Sequence, residues 1–304
     1  MTGESASSQR RRLILYFLMV LTMLLWGGTF SAGKLASQGA GPISVAFFRF
    51  LISALFLFPQ HRLMEGHFLP RKNSIRVWIL IALSALTGLV LYNYFFIRGL
   101  ALTGAGRGSV IVATNPALVY VGTVIFFHER LTLVRLLGIV LAVIGTIVVV
   151  SSGNPLSLLQ GAVSLGDVFM VACVLSWACY ALLGKLLLAE ISPVSANLWT
   201  TIVSLVFLLP LLFLSHEDPL AFLHFSSTTW LSIGFLGVCG TVLGFTFFYY
   251  GILNLGPNRA SVFVSLVPFF AILCGAIIFG ESISPSIVIG LILSLMGLTI
   301  IQRY

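Results

Sequence analysis

The chain has 304 residues, of which 59% are hydrophobic and 8% charged, with a mean hydropathy of +1.11; a soluble domain, in which about a quarter of residues carry charge, is excluded. The formal net charge is +8, but the basic residues sit at the ends of apolar runs instead of alternating with aromatics, so no nucleic-acid partner is expected. Cys173, Cys179, Cys239 and Cys274 lie inside apolar runs with no CxxC or Cys/His spacing, so no metal site and no cofactor is expected.

Residues 1–12 are polar and basic, with Arg10, Arg11 and Arg12 directly before an apolar run. That order imitates a secretory signal. The run continues through Trp26 to Lys34, however, and it has a counterpart in the interior of the chain. Residues 1–12 are therefore read as a cytoplasmic tail. About 20 apolar residues cross a bilayer core as a helix. Ten stretches qualify: 13–36, 43–60, 76–98, 106–127, 132–151, 166–188, 193–214, 229–252, 258–279 and 284–302. Breakers such as Gly39-Ala40-Gly41-Pro42, Ser192-Pro193 and Ser284-Pro285 separate them. A linker, 152–165, divides the chain into 13–151 and 166–302.

The two parts are copies. Trp26-x7-Lys34 returns as Trp177-x7-Lys185, and Pro42 and Pro59 return as Pro193 and Pro210. One residue further out of register come Trp78/Trp230, Phe95-Phe96/Phe247-Phe248, Gly99/Gly251, Arg107/Arg259, Pro116/Pro268, Glu129/Glu281, Gly138/Gly290 and Gly145/Gly297. Register kept over most of each half is a duplication. Five crossings per copy is an odd number, so the second copy enters the membrane with opposite polarity. The fold class is all-α integral membrane, ten transmembrane helices in a 5+5 inverted-topology repeat, an arrangement typical of secondary carriers.

Lysine and arginine set the orientation. With the N-terminus inside, the inner segments hold Arg10, Arg11, Arg12, Arg62, Arg71, Lys72, Arg76, Arg130, Arg135, Lys185, Arg259 and Arg303, against Lys34, Arg98 and Arg107 outside. The positive-inside rule then places both termini in the cytoplasm. The expected location is the inner (plasma) membrane, and the oligomeric state is left open, a monomer being compatible.

Candidate site residues follow from depth. Trp26 and Trp177 fall near mid-membrane instead of at the interface that tryptophan favours; they either line a cavity or pack. Arg49, midway between Pro42 and Pro59, carries a charge costing roughly 2.5–3.5 kcal/mol to insert. It must face a cavity or a partner, and Thr200 stands at its matched position. Tyr92 and Asn93 on helix three, Asn115 on helix four, Tyr180 on helix six, Asn197 and Thr200 on one face of helix seven, and Tyr249 on helix eight complete the expected substrate-binding set. Pro116 and Pro268 lack an N–H and would kink their helices near Val112 and Val264; they serve either as structural kinks or as hinges. Lys34 and Lys185, near helix ends, either snorkel or gate. Gly240-x3-Gly244 and the seven-residue glycine repeats of helices five and ten mark close packing. No Asp or Glu falls at mid-membrane, which argues against a carboxylate proton relay.

The stretch Phe95-Phe96-Ile97-Arg98-Gly99-Leu100-Ala101-Leu102-Thr103, with Asn115-Pro116-Ala117, His128-Glu129-Arg130-Leu131, Gly138 and Gly145, resembles the end of an EamA domain. Phe247-Phe248-Tyr249-Tyr250-Gly251, Val267-Pro268, Gly280-Glu281-Ser282, Gly290 and Gly297 repeat it. The chain resembles a ten-helix member of the drug/metabolite transporter superfamily over residues 13–302. The resemblance implies a central cavity lined by helices one to four and six to nine, with five and ten peripheral. It also implies export of amino acids, other metabolites or toxic organic compounds.

Together these readings predict a secondary transporter. It would export small amphipathic metabolites, amino acids or related compounds first among them, by alternating access around a midplane cavity. Its partners would be a small-molecule substrate and the lipid bilayer. A carrier for phosphorylated or nucleotide-linked sugars would need more paired basic residues facing the cavity. An intramembrane enzyme would need a polar catalytic cluster at one depth, and the histidines all fall in loops or at helix ends. Gly104-x-Gly106-x-Gly108 lacks the Lys-Ser/Thr of a phosphate loop.

Overall fold

The structure is a computed structural model and describes residues 6–66, 69–70, 72–128, 132–154, 163–215, 217–255, 263–264 and 266–303. Glu129, Arg130, Arg259 and most of the linker 152–165 lie outside the described residues, as do the side chains of Pro116 and Tyr249.

Besides a short 3-10 helix, Ala221–His224, the described residues form ten apolar helical segments: α1 (Ala6–Gly39), α2 (Pro42–Glu65), α3 (Ile75–Leu102), α4 (Ala105–Phe127), α5 (Leu133–Val150), α6 (Leu165–Leu187), α7 (Pro193–Leu214), α8 (227–255), α9 (Val267–Phe279) and α10 (Pro285–Arg303). The first eight are long and apolar enough to cross a membrane; the shorter apolar stretches Val267–Phe279 and Pro285–Gly297 supply the last two. Large apolar side chains such as Phe17, Leu55, Phe126 and Ile277 are exposed, as a lipid-facing surface requires. Polar caps start several segments: the side chains of Ser74, Thr132, Ser164, Ser192 and Ser226 each accept a first-turn N–H. Pro42 and Pro193 open α2 and α7, where a missing N–H costs nothing.

Two departures from regular helix repeat in both halves. α3 contains a π-helical stretch, Ala85–Leu91, and α8 contains another, Phe235–Leu243, at the matched place. The second departure is the proline break. α4 stops at Val112 and restarts at Asn115, with Pro116 in the first turn of the new helix. α9 begins in the same way around Pro268. The sequence foretold the proline kinks. It carried no sign of the π turns, which absorb one extra residue without a breaker.

α5 and α10 pack along each other more extensively than any other pair. A side chain at Gly145 would lie 2.6 Å from the Gly290 carbonyl, and one at Gly297 would lie 2.7 Å from the Ala142 nitrogen. The glycine repeats therefore bring two backbones into contact.

The two ends of the bundle differ. On the face with few basic residues, one continuous core joins Phe30, Val45, Phe96, Leu100, Ile111, Met170, Ile233 and Ala271, from seven segments. On the basic face the core splits into Val77, Ile81, Leu187 and Ala196 on one side and Met19 and Met23 with Phe248 on the other. The outer half of α3 packs on α1, α2 and α6; the matched inner half of α8 packs on α1 with no comparable contact to α6 or α7. Matched glycines tell the same story. A side chain at Gly33 would meet Leu100, Phe96 and Ile97, whereas Gly184 has no described atom near it.

Candidate functional site

Between the halves lies a cavity of about 350 Å³, lined largely by apolar and aromatic side chains with a few polar groups. That composition is usual for small-molecule sites. Two aromatic walls face it. Trp26 leans on Phe245 and Phe248, with ring centroids 5.4 and 5.1 Å away. Trp177 leans on Tyr92 and Tyr180 at 5.2 and 5.3 Å, and Tyr92 stacks on Phe96. The Trp26 Nε1–H donates to the Gly240 carbonyl at 3.0 Å, in the π-helical stretch of α8. Gly240 and Gly244 permit that approach, since a side chain at either would run into Thr29 or Trp26.

Arg49 enters the cavity wall from α2. Its Nε and Nη2 both donate to Thr241 Oγ1, at 3.2 Å each, and Nη1 donates to Asn93 Oδ1 at 2.8 Å. The acceptors are themselves fixed: Thr241 Oγ1 donates to the Leu236 carbonyl and Asn93 Nδ2 to the Leu89 carbonyl. A guanidinium has five N–H groups. Three are used here, and one on each terminal nitrogen is left. No carboxylate among the described residues pairs with Arg49. The side chain thus presents a positive fork, and among the described residues no other Lys or Arg lines the cavity.

On the face with few basic residues, carboxylates are bound to helix N-termini, where backbone N–H groups and the helix dipole both favour an anion. Glu281, in the loop before α10, accepts from Lys34 Nζ (2.6 Å) and from the Ala105 and Gly106 amides (3.0 and 3.2 Å). Burial alone would raise its pKa. The Lys34 ammonium and then the two amides outweigh that and hold the carboxyl below its ordinary value. Glu217 likewise accepts from the Ile43 and Ser44 amides at the start of α2. Asp167 receives Arg107 Nε and Nη2 at 2.8 and 2.7 Å, while Nη2 also reaches the Val150 carbonyl. At the inner end, Glu65 of α2 accepts from the hydroxyls of Ser192 and Ser195, which begin α7. α2 and α7 are therefore tied to each other's surroundings at both faces.

Residues 13–151 and 164–303 each match the model of the EamA-like transporter family. The chain belongs to the EamA-like transporter family. It is 26% identical over 289 residues to "Uncharacterized transporter YyaM" of Bacillus subtilis, covering 94% of this chain and 93% of that protein. It is 25% identical over 286 residues to the "Probable terminal-alkyne amino-acid exporter" of Streptantibioticus cattleyicolor, covering 94% and 92%. A solved structure at 16% identity superposes with a TM-score of 0.65 over 95% of this chain and 97% of that one, which supports the fold. As an EamA-family protein the chain is a multi-pass membrane transporter and not an enzyme.

Of the residues expected at the site, Trp26, Arg49, Tyr92, Asn115, Trp177 and Pro268 line the cavity of this EamA protein. Asn93 stands behind Arg49 and holds it. Tyr180 stands behind Trp177, its ring against Gly88. Asn197 and Thr200 are off the cavity wall: the Thr200 hydroxyl bonds to the Ala196 carbonyl of its own helix, and the Asn197 carbonyl receives Thr201. Lys34 is at the outer rim. Lys185 is exposed at the inner end over Phe127, 4.3 Å from its centroid, just as Lys34 lies 4.4 Å over the matched Phe279. The repeat thus reappears as two stacked cation–aromatic pairs, one per face.

The cavity is less symmetric than the resemblance implied. α7 supplies no lining residue, while α10, expected to be peripheral, supplies Ser294 and Leu295. α10 lies against both halves of α4 as well as α5, which carries it to the cavity edge. Thr241 and the Gly240 carbonyl were missed by sequence reasoning. Only the glycine pair around them hinted at a close approach.

Proposed function

We propose that this transporter exports small amphipathic metabolites bearing a carboxylate, amino acids or related compounds first among them, across the inner (plasma) membrane by alternating access. Arg49 carries the proposal. A cation whose hydrogen bonds among the described residues all go to neutral oxygens, with two N–H groups left over at an apolar cavity, suits a bidentate carboxylate. The aromatic walls of Trp26 and Trp177 suit an apolar side group. The relative named as an amino-acid exporter supports the same class. One cation among the described lining residues suits a carboxylate better than a phosphorylated or nucleotide-linked sugar, which calls for several.

The tight core and the carboxylate ties on the basic-poor face, beside the split core on the basic face, support reading this conformation as closed outward. The test is counterflow of amino acids in proteoliposomes. Arg49→Ala should cut transport of a carboxylated substrate by about ten- to a hundredfold, the loss of a charge-assisted hydrogen bond. The decarboxylated amine of the same substrate should be unaffected by that change. Equal transport of the carboxylated compound by Arg49→Ala and the unmutated protein would refute the proposal.

A further inference from the structure

We infer that Asn115 is a second recognition point in this cavity, an acceptor for the N–H groups of a substrate amino group, so that the site takes zwitterions in preference to plain carboxylic acids. The inference rests on the proposal that Arg49 holds the carboxylate. Asn115 is only 9% exposed and lines the cavity, yet its Oδ1 has no hydrogen-bond partner among the described residues. Buried polar atoms are ordinarily paired, and an exception asks for an explanation; at a cavity wall, a donor carried by the substrate supplies one. The amide turns readily about χ2, a soft torsion, and so can present its oxygen to the cavity.

The backbone around Asn115 is also short of donors. Pro116 has no N–H to give Val112. The Ala117 N–H goes to the Thr114 carbonyl at 3.0 Å, so Ala113 loses its usual donor. Thr114 sends both its N–H and its hydroxyl to the Ile111 carbonyl. Val112 and Ala113 both line the cavity. The break in α4 therefore leaves two residues of one wall short of their usual backbone donors, with no carboxylate beside them among the described lining residues. That is a neutral setting for an ammonium, and Trp177, which lines the same cavity, is an aromatic group able to add cation–π attraction.

Repeat symmetry sharpens the assignment. The aromatic and proline frame is duplicated, Trp26 with Trp177 and Pro116 with Pro268. The polar groups are not: Arg49, Asn93, Asn115 and Thr241 match Thr200, Phe245, Val267 and Leu89. Recognition chemistry was placed on a symmetric frame at one position per element. Arg49 with its two holders makes one pole and Asn115 the other. Ser294 Oγ also has no hydrogen-bond partner among the described residues, but it lies against the Gly145 backbone and is not part of this pole.

The test compares ligands that differ only in the amino group. Purified full-length protein is titrated with leucine and phenylalanine and with their deaminated acids, 4-methylpentanoate and 3-phenylpropanoate, reading apparent Kd from ligand-dependent thermal unfolding. The unmutated protein should bind each amino acid about tenfold or more tighter than its acid, as expected of a hydrogen bond to a charged group. Asn115→Val, which installs the residue of the matched position, should remove that preference and leave the acid's affinity in place. Asn115→Asp should enlarge it. A common factor on both members of each pair, in both variants, would mean that Asn115 only supports the helix break, and would overturn the inference. So would acid binding that depends on Arg49 with no amino-acid preference in the unmutated protein. Acid binding that survives Arg49→Ala removes the carboxylate reading, and this inference with it.

Discussion

The outer closure offers the most direct test of how this fold works. Glu281→Gln keeps the side chain's shape and removes its charge. Three charge-assisted contacts meet at Glu281, from Lys34 Nζ and from the Ala105 and Gly106 amides. A glutamine retains one acceptor oxygen and sets its NH₂ where the second oxygen stood. Hydrogen bonds to charged groups contribute about 1.5–3 kcal/mol each when well buried. The Lys34 and Glu281 side chains are 23% and 21% exposed, so solvent screening cuts that value. A loss of about 1–2 kcal/mol is expected for the closed outer face, roughly a five- to thirtyfold rise in its open population.

The assay is thiol accessibility in a background freed of the four native cysteines. A cysteine replacing Phe30, which is 4% exposed in this structure, would be modified from the outside by an impermeant reagent when the outer face opens. Its rate should rise five- to thirtyfold in Glu281→Gln, and similarly in Lys34→Met. The sign of the pH effect follows from the lowered carboxyl pKa. The stabilisation is fully present above the ordinary glutamate value of about 4.3 and is lost only as pH falls through the lower, closed-state value. Accessibility should therefore be flat from about pH 5.5 to 8. An unchanged rate in both variants, or a rate that rises steeply between pH 7 and 6, would refute the assignment of this pair as the outer closure.

Other consequences are simpler to read. Asp167 is 1% exposed and takes both arms of the Arg107 fork, so Asp167→Ala should destabilise the protein by about 3 kcal/mol or more, seen as a lowered Tm in detergent. Gly290→Leu would drive a side chain into Val149 and the Gly145 backbone; it should separate α5 from α10 and abolish monodisperse expression, whereas Gly234→Ala, with open space around it, should leave both Tm and yield unchanged. Glu190, in the loop before α7, is held below its ordinary pKa by the hydrogen bond and charge of Lys72; as an exposed pair, its loss in Glu190→Gln should shift Tm by no more than about 2 °C.

How much of the site was legible can be seen residue by residue. Trp26, Arg49 and Asn115, which line the cavity, were singled out because polar or amphipathic groups at mid-membrane are costly, and that cost is visible in a hydropathy register without any structure. Asn197 and Thr200 satisfied the same rule and face elsewhere. A threonine can bond to the carbonyl four residues back in its own helix, as Thr200 does, and so be buried without a cavity. Tyr180 was misplaced for a related reason: an aromatic ring supports another ring from behind as well as from beside. Thr241 was passed over because a threonine beside a glycine reads as helix packing. Its role comes from the π-helical stretch, which turns it toward Arg49.

By itself the sequence determined the membrane solvent, the ten crossings and their duplication, because these depend on composition, segment length and periodicity, which are local and additive along the chain; the family was legible separately, through the resemblance of short motifs. Only the tertiary structure decided which faces turn inward, that α10 reaches the cavity and α7 does not, and that Arg49 is held by Thr241 and Asn93 from two other segments. Those outcomes depend on the rotation of each helix about its own axis. A π turn or a proline break resets that rotation by a fraction of a turn, and no residue count along the chain records it.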